Sequence, residues 1–500
     1  MTTQVKPVVV VVFVTLLTLP ALTQEHAQAP EVNRLVAALL GDTPLVADLR
    51  QLCDEIGGRP TGSQANLRAV EWALQKFQGA GVSARKEAFT MPRLWLERAS
   101  EARVSGDGVA FEPDVVAMPF STATPKDGLT APLVDGGGGS EEDFARLGER
   151  AKGAFVLVET EELLDIDGLF REYAEAVAIE ARAFDAGVAG VVYMSSRPKG
   201  LLYRHNASRG AANQHPMLIM EREEAQRALR LLRAGKRLTL TAKIDVQDGG
   251  AYESYNVIGE IKGAEKPEEV VLMGAHLDSW GLGTGANDNG CNVAMLIDIA
   301  RQMQRLGIRP KRTVRFVLWN GEEQGLVGSW RYTQAHADEL NGHVLACSID
   351  IGSGRITGFF TNGREELLSP VQEALAPVQG LGPFEHINEP IVGTDNYDFM
   401  VQGVANLVGN HDPYNYGPNY HAESDTFDKV DLRQLRLNAA IVAALTYGFA
   451  NMEVTWKRQT REDIQHLIDT TSLRQQMDMF GLYPGWEDGS RGRAPETTAK

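Results

Sequence analysis

The 500-residue chain holds only three cysteines, Cys53, Cys291 and Cys347, and no C-x-x-C pair. So sparse and odd a set excludes a disulfide framework and a cysteine-based zinc or redox motif, and buried free thiols are expected. Positive charge is also short: 49 Lys and Arg stand against 66 Asp and Glu, a formal net charge of −17. Clustered cations are what neutralise phosphates, so a nucleic-acid partner is excluded, and attraction to anionic lipid with it. Long hydrophobic runs are missing as well. The run from Val8 to Leu19 is roughly a dozen apolar residues, too short for a bilayer span but suited to a secretory signal. With Lys6 before it and small residues over Ala21–Ala29, residues 1–29 read as a signal peptide. The alternative is an uncleaved anchor. No cysteine follows the run to carry a lipid, so the mature protein is expected to be exported, periplasmic or secreted, without membrane insertion after processing.

What is present is an ordinary globular composition, 43% hydrophobic and 23% charged, long enough for two or three domains. Helical patterns near residues 31–56 lead to "SQANLRAVEWALQKFQGAG", where Leu67, Val70, Leu74 and Phe77 recur at helical spacing behind a Ser63 cap. Residues 98–250 change character, with strands at "GAFVLVE", "AGVVYMS" and "RLTLTAKIDV" and helices near 169–186 and 221–234. The glycines of "DGGGGS" at 135–140 lack the Gly-Lys-Ser/Thr of a phosphate loop and read as a linker. From Tyr255 apolar strands at 269–275, 313–319 and 343–349 alternate with helices near 290–306, 324–338, 365–377 and 430–452. That alternation predicts a sheet, mainly parallel, covered by helices on both faces. The chain then divides into a catalytic domain in two parts, 30–97 and 251–455, around the insert at 98–250. A polar helical tail, 456–500, ends in an expected disordered stretch.

Ligands of an open parallel sheet bind beyond the carboxyl ends of its strands. The first predicted strand is followed there by His276-Leu-Asp278, the second by Glu322-Glu323 and the third by Asp350. Three separate strands thus deliver a histidine and carboxylates to one edge. His276 and Asp278 are two apart on extended chain and share a face, so Asp278 is placed to accept the free ring N–H of His276. Glycines at 281, 283 and 285 allow a return bend that brings Asp288 to the same point. Adjacent Glu322 and Glu323 diverge, so one can bind metal while the other faces substrate. His421, in "PNYHAESDTFDKVD", is the late histidine candidate, followed by Asp425 and Thr426. His411 is its nearest rival, and the remaining histidines lack acidic company in this topology.

The set His276-x-Asp278, Gly285-Ala-Asn-Asp288-Asn289, Glu322-Glu323-x-Gly-x-x-Gly-Ser329, Asp350 and Tyr420-His421-x-x-x-Asp425-Thr426 resembles the co-catalytic di-zinc exopeptidases. That superfamily includes bacterial leucyl aminopeptidases and glutamate carboxypeptidase II. "LCDEIGGRPTGSQAN", "LGIRPKRTVRFVLWNGEEQG" and "VGTDNYDF" are similar to the carboxypeptidase Q subgroup. Residues 98–250 resemble the protease-associated domain such enzymes carry. The resemblance implies an α/β fold of zinc-exopeptidase type, with an inserted α+β protease-associated domain that covers the cleft, mediates a homodimer or does neither. It implies hydrolysis of short peptides, in an amino-, carboxy- or dipeptidase direction left open, with two Zn²⁺ per chain.

Carried over by position, Asp288 bridges the metals, His276 and Asp350 complete one site, and Glu323 and His421 the other. Glu322 is then the general base and Asp278 the orienter of His276. Tyr420 stands where some relatives stabilise an oxyanion and where carboxypeptidase Q has another residue type. A cis peptide after Asp288 is also implied. Three ligand carboxylates and two neutral imidazoles leave two divalent ions with one net positive charge, and mixed N/O ligation suits zinc, with cobalt or manganese as alternatives. Asp395 reads either as a substrate contact or as an Asx-turn residue. Rival readings are glutaminyl cyclisation or deacylation on the same fold, and a receptor-like protein without catalysis.

Overall fold

The computed structural model describes residues 29–164, 166–205 and 210–494. The leader reading therefore lies outside the described residues, as does the chain end after 494. Among the described residues no helix is long and apolar enough to cross a membrane. All three cysteines are buried free thiols.

A seven-stranded sheet is built from strands that lie outside residues 94–249. Its centre is four mutually parallel strands, in the order Arg312–Trp319, Lys266–His276, His343–Ser348, Asn406–His411. Strands Tyr252–Ile261 and Ser83–Met91 extend one side, and Ile356–Phe360 the other, all by antiparallel pairing. Parallel pairing is thus confined to the centre, because only there do helical crossovers return the chain in the same direction. The three apolar strands of the sequence pattern are its core, whereas the edge strands have mixed composition that hides their period.

Strand Lys266–His276 shows why the centre is buried on both faces. Val271, Met273 and Ala275 point into one apolar core, and Val270 and Leu272 into the other. Helices Cys291–Arg305 and Leu432–Asn451 cover the first face, and Val327–Ala335 and Asn396–Val401 the second. Helix Gln64–Gly79 starts at the Ser63 cap, whose side chain accepts from the Asn66 N–H.

Residues 94–249 build a second sheet of eight strands with its own two cores. It meets the seven-stranded part along a seam where Tyr203 pairs with Ala422 and the Arg204 N–H donates to the His421 carbonyl at 3.0 Å.

The tail is not an outlying polar segment up to residue 494. Ile464, Leu467, Ile468, Met477 and Trp486 bury themselves with Tyr397 and Met400 of the catalytic part. The polar average of this stretch concealed an apolar stripe at 464, 467 and 468, which is helical spacing. Arg491 closes the contact by reaching both oxygens of buried Asp398 at 2.8 and 2.7 Å. Removing one partner of such a buried pair strands the other charge. Arg491→Met is expected to cost about 3–5 kcal/mol of stability at pH 7, read by denaturant unfolding; a loss below ~0.5 kcal/mol contradicts this packing.

Candidate metal centre

Register places the site. His276 ends the central strand opposite Trp319, and Gly274 lies opposite Ser348, so the segments reaching Glu322–Glu323 and Asp350 leave the sheet at one level. Asp288 arrives through the return bend. Gly285 takes φ +59° there, and a Cβ on Gly283 would lie 2.6 Å from the Ala422 carbonyl oxygen, so neither position tolerates a side chain. The Asp288–Asn289 peptide is cis.

Two ligand sets converge on the two oxygens of Asp288. His276 Nε2 lies 3.1 Å from Asp288 Oδ1 and 2.9 Å from Asp350 Oδ1. His421 Nε2 lies 3.3 Å from Asp288 Oδ2 and 2.9 Å from Glu323 Oε2. All five residues are buried, at 1–7% exposure. The ring tautomers are fixed from behind. His276 Nδ1 donates to the Asp278 carbonyl at 3.0 Å and His421 Nδ1 to the Arg204 carbonyl at 3.1 Å. A carbonyl can only accept, so each Nδ1 holds the hydrogen and the neutral ring presents a lone pair at Nε2.

As ion pairs these contacts need charged imidazoles, yet one Nε2–H cannot serve two carboxylates at once. Ligand atoms about 3.3 Å apart are the edges of a tetrahedron around a metal with ~2.0 Å bonds, and the four distances fit that spacing. Carboxylate and imidazole donors in two sets sharing Asp288 therefore suit two divalent ions.

Asp278 is wholly buried but departs from its expected role. Its carboxylate sits 3.7 Å from His276 Nδ1, and its main-chain carbonyl takes the ring hydrogen instead. The carboxylate accepts from Thr61 Oγ1 at 2.6 Å and from the Gly321 and Glu322 N–H groups at 3.0 and 3.4 Å. Two residues of extended chain bring the carbonyl closer to the ring than the side chain can come. The carboxylate thus anchors the Glu322 backbone. Tyr420 stacks on His421 with centroids 3.7 Å apart, and its hydroxyl meets that of Tyr173 from the insert at 3.0 Å.

Two supports, Arg59 and Thr61, escaped the sequence reading, and a third, Asp425, was named there without a role. Arg59, fully buried, donates to the Thr284 and Gly285 carbonyls at 2.7 and 2.8 Å and also to that of Leu277, clamping the return bend. Thr61 holds Asp278. Asp425 accepts from the Asn287 and Asp288 N–H groups at 2.8 and 3.1 Å. The only signal for Arg59 and Thr61 was the stretch "GGRPTGS", whose role no spacing rule reveals. Asp395 is buried, and its side chain caps nothing, so the Asx-turn reading is set aside. His411 is buried at a strand end, and burial pushes its imidazole down to about 4, keeping it neutral.

Without metal the site is short of positive charge. Burial pushes Glu323 up to about 7, with Asp288 adding to it, and burial likewise pushes Asp425 up to about 7. Burial and the neighbouring Asp350, Asp395 and Glu323 raise Glu322 well above the usual range, against His276. At His276 burial opposes charging but Asp350 and Glu322 outweigh it, and at His421 Glu323 does so. Asp288 alone moves down: burial resists, but hydrogen bonding to His276 wins.

Residues 256–446 match the model described as peptidase family M28. Carboxypeptidase Q of Bos taurus is 28% identical over 413 residues, 81% of this chain and 85% of that protein. A probable lipoprotein aminopeptidase of Mycobacterium tuberculosis is 26% identical, over 77% of this chain and 80% of its own length. A peptidase M28 precursor from Shewanella amazonensis superposes with a TM-score of 0.77 at 28% identity, covering 87% of this chain and all of its own. A zinc aminopeptidase from Bacillus subtilis, at 21% identity and TM-score 0.66 over 84% of this chain and 98% of its own, shares the fold.

Glu323 and Asp425 bind protons more tightly folded than unfolded, so the stability they confer is present below their unfolded values and lost as pH rises through about 7. Asp288 works in the opposite sense. A divalent ion held by Glu323 would take the place of its proton and relieve it. The gap in Tm between zinc-loaded and chelated protein is expected to widen from pH 5 to pH 8. Scanning fluorimetry reads it, and a constant gap contradicts the assignment.

Proposed function

We propose that this chain, whose residues 256–446 match the model of peptidase family M28, is an exported exopeptidase of short peptides that holds two zinc ions. The observation that carries the reading is Asp288, each of whose oxygens faces a different imidazole–carboxylate set. His276, Asp350 and Asp288 Oδ1 would hold one ion, and His421, Glu323 and Asp288 Oδ2 the other. Bound there, zinc supplies Lewis acidity toward a scissile carbonyl and toward water.

The chain's own groups do the rest. Glu322 stands beside ligand Glu323 on the wall of an open cavity. Its carboxylate takes the proton of the attacking water and returns it to the leaving amine nitrogen. Asp278 fixes the position of that carboxylate through the Gly321 and Glu322 N–H groups, and Thr61 fixes Asp278. The Asp278 and Arg204 carbonyls keep the Nε2 lone pairs of both histidines directed at the metal positions. The 98–250 insert, read as a protease-associated domain, supplies the second of these carbonyls. Two ligand sets favour the peptidase over a single-zinc cyclase. Export rests on the residue 1–29 leader.

Two variants test the reading. Glu322→Gln is expected to lower kcat about 10²–10⁴-fold while elemental analysis still finds two zinc ions per chain. Near wild-type turnover removes Glu322 as the base. Asp288→Ala is expected to lose metal and activity together, and a fully loaded, active variant refutes the bridge.

A further inference from the structure

The insert has a cavity of its own, about 560 Å³ in volume, within the ~300–1,000 Å³ of a small-molecule site. Strands Leu129–Asp135, Phe155–Val158 and Gly190–Met194 run parallel beneath it. The residues that follow them, 138–140, 159–163 and Ser196, line one side. Ligands of an α/β sheet bind beyond such carboxyl ends. Helix Ile166–Asp185 forms the opposite wall. The "DGGGGS" stretch is therefore no linker. Gly139 takes φ +77°, and a Cβ there would lie 2.8 Å from the Ile179 side chain of that helix, so loop and helix meet only because glycine stands there.

Two polar groups of this wall are unspent. Tyr193 and His205 line the cavity with their rings 6.5 Å apart. They are 4% and 3% exposed, yet the Tyr193 hydroxyl and His205 Nε2 have no hydrogen-bond partner. Buried polar groups of this kind call for one. A phenol oxygen accepts from an N–H, and an imidazole nitrogen does so when the ring hydrogen sits on its other nitrogen. Burial pushes His205 down to about 4, so the ring is neutral. Charge points the same way. Among the described residues, five glutamates line the cavity against two arginines. Glu159 pairs with Arg233, Glu161 with Arg171 and Glu172 with Arg197. Glu162 and Glu175 keep open carboxylates, while Arg182 donates to the Gly139 carbonyl at 3.0 Å. Leu163, Ala174, Ala178 and Ile179 make the remaining wall apolar.

We propose that this cavity is a second ligand site, which binds a small aliphatic ammonium and is linked to the metal centre. The open carboxylates hold the cation, the buried hydroxyl and imidazole accept N–H groups, and the apolar side chains take the carbon chain. One-residue steps connect the cavity to the metal ligands. His205 follows Arg204, whose N–H and carbonyl clasp His421. Glu172 precedes Tyr173, whose hydroxyl meets that of Tyr420. Glu172 also accepts from Arg197 at 3.4 Å, and Arg197 donates in turn to the Tyr420 carbonyl at 3.0 Å. Zinc held by His421 would fix these residues and the cavity wall with them, so zinc and the amine favour each other's binding. The inference goes beyond the exopeptidase reading and does not depend on it.

The test is isothermal titration calorimetry of the full chain, zinc-loaded and chelated, with pentylammonium, pentanol and pentanoate. Pentylammonium is expected to bind at least about tenfold more tightly than the other two, and zinc to tighten it about fivefold or more. Ala174→Trp fills the cavity from the exposed side of its helix, and Glu162→Gln combined with Glu175→Gln removes the open charge. Each should weaken pentylammonium at least about tenfold while zinc content and Tm stay at the wild-type values. Tyr193→Phe should weaken it about fivefold without lowering Tm, because the hydroxyl has no internal partner to lose. Pentylammonium bound no better than pentanoate, or bound equally well by the Ala174→Trp variant, overturns the site. Equal affinity with and without zinc overturns the link to the metal centre. None of these readouts depends on peptide hydrolysis.

Discussion

The two oxygens of Asp288, each opposed by a different imidazole, are the constraint on which the rest of the site depends. A buried carboxylate in contact with Asp350 and Glu323 through shared imidazoles is costly unless positive charge sits among them. Everything around Asp288 serves to hold it in that position. The Asn287 and Asp288 N–H groups are tied to Asp425, the return bend is clamped by Arg59, and the Cys291–Arg305 helix starts directly behind. Arg59 is also a buried permanent cation whose charge interacts with Asp278, Asp288 and Asp425 together, so it offsets part of the acidic excess as well as shaping the loop.

From that point the chemistry is arranged by backbone rather than by side chains. Main-chain carbonyls choose the tautomer of both histidines, and main-chain N–H groups hold the Asp278 carboxylate that sets Glu322. Backbone groups are positioned by the sheet and its register, which a rigid core on two faces enforces. His421 is the exception. It lies in a loop at φ +55°, a left-handed backbone that a non-glycine residue adopts only when its surroundings impose it. The imposing structure is the seam with the insert, where Arg204 both donates to the His421 carbonyl and accepts from its ring. The insert is thereby bound to the geometry of His421.

The sequence revealed those parts of the molecule whose pattern is local. Apolar runs at 269–275, 313–319 and 343–349 identify the central strands, and the residues just beyond them identify His276, Glu322, Glu323 and Asp350 as neighbours. The antiparallel edges were not legible, because strand Ser83–Met91 is largely exposed and carries no clean alternation. The Asp278 side chain was placed on the wrong partner because i, i+2 spacing says which way a side chain faces, not whether its own carbonyl lies nearer. Arg59, Thr61 and Tyr173 act across more than 200 residues of chain, a separation at which one sequence has no signal. The tail misled by averaging: Trp486 and Arg491 stand among Gly, Asp and Ser, yet both are buried.

The central claim is that two ions share Asp288. Anomalous diffraction at the zinc edge from crystals of the zinc-loaded protein measures it directly. The account predicts two peaks about 3.5–4 Å apart, one against His276 and Asp350 and the other against His421 and Glu323, with Asp288 between them. A single peak, or two peaks of which one lies away from Asp288, contradicts it.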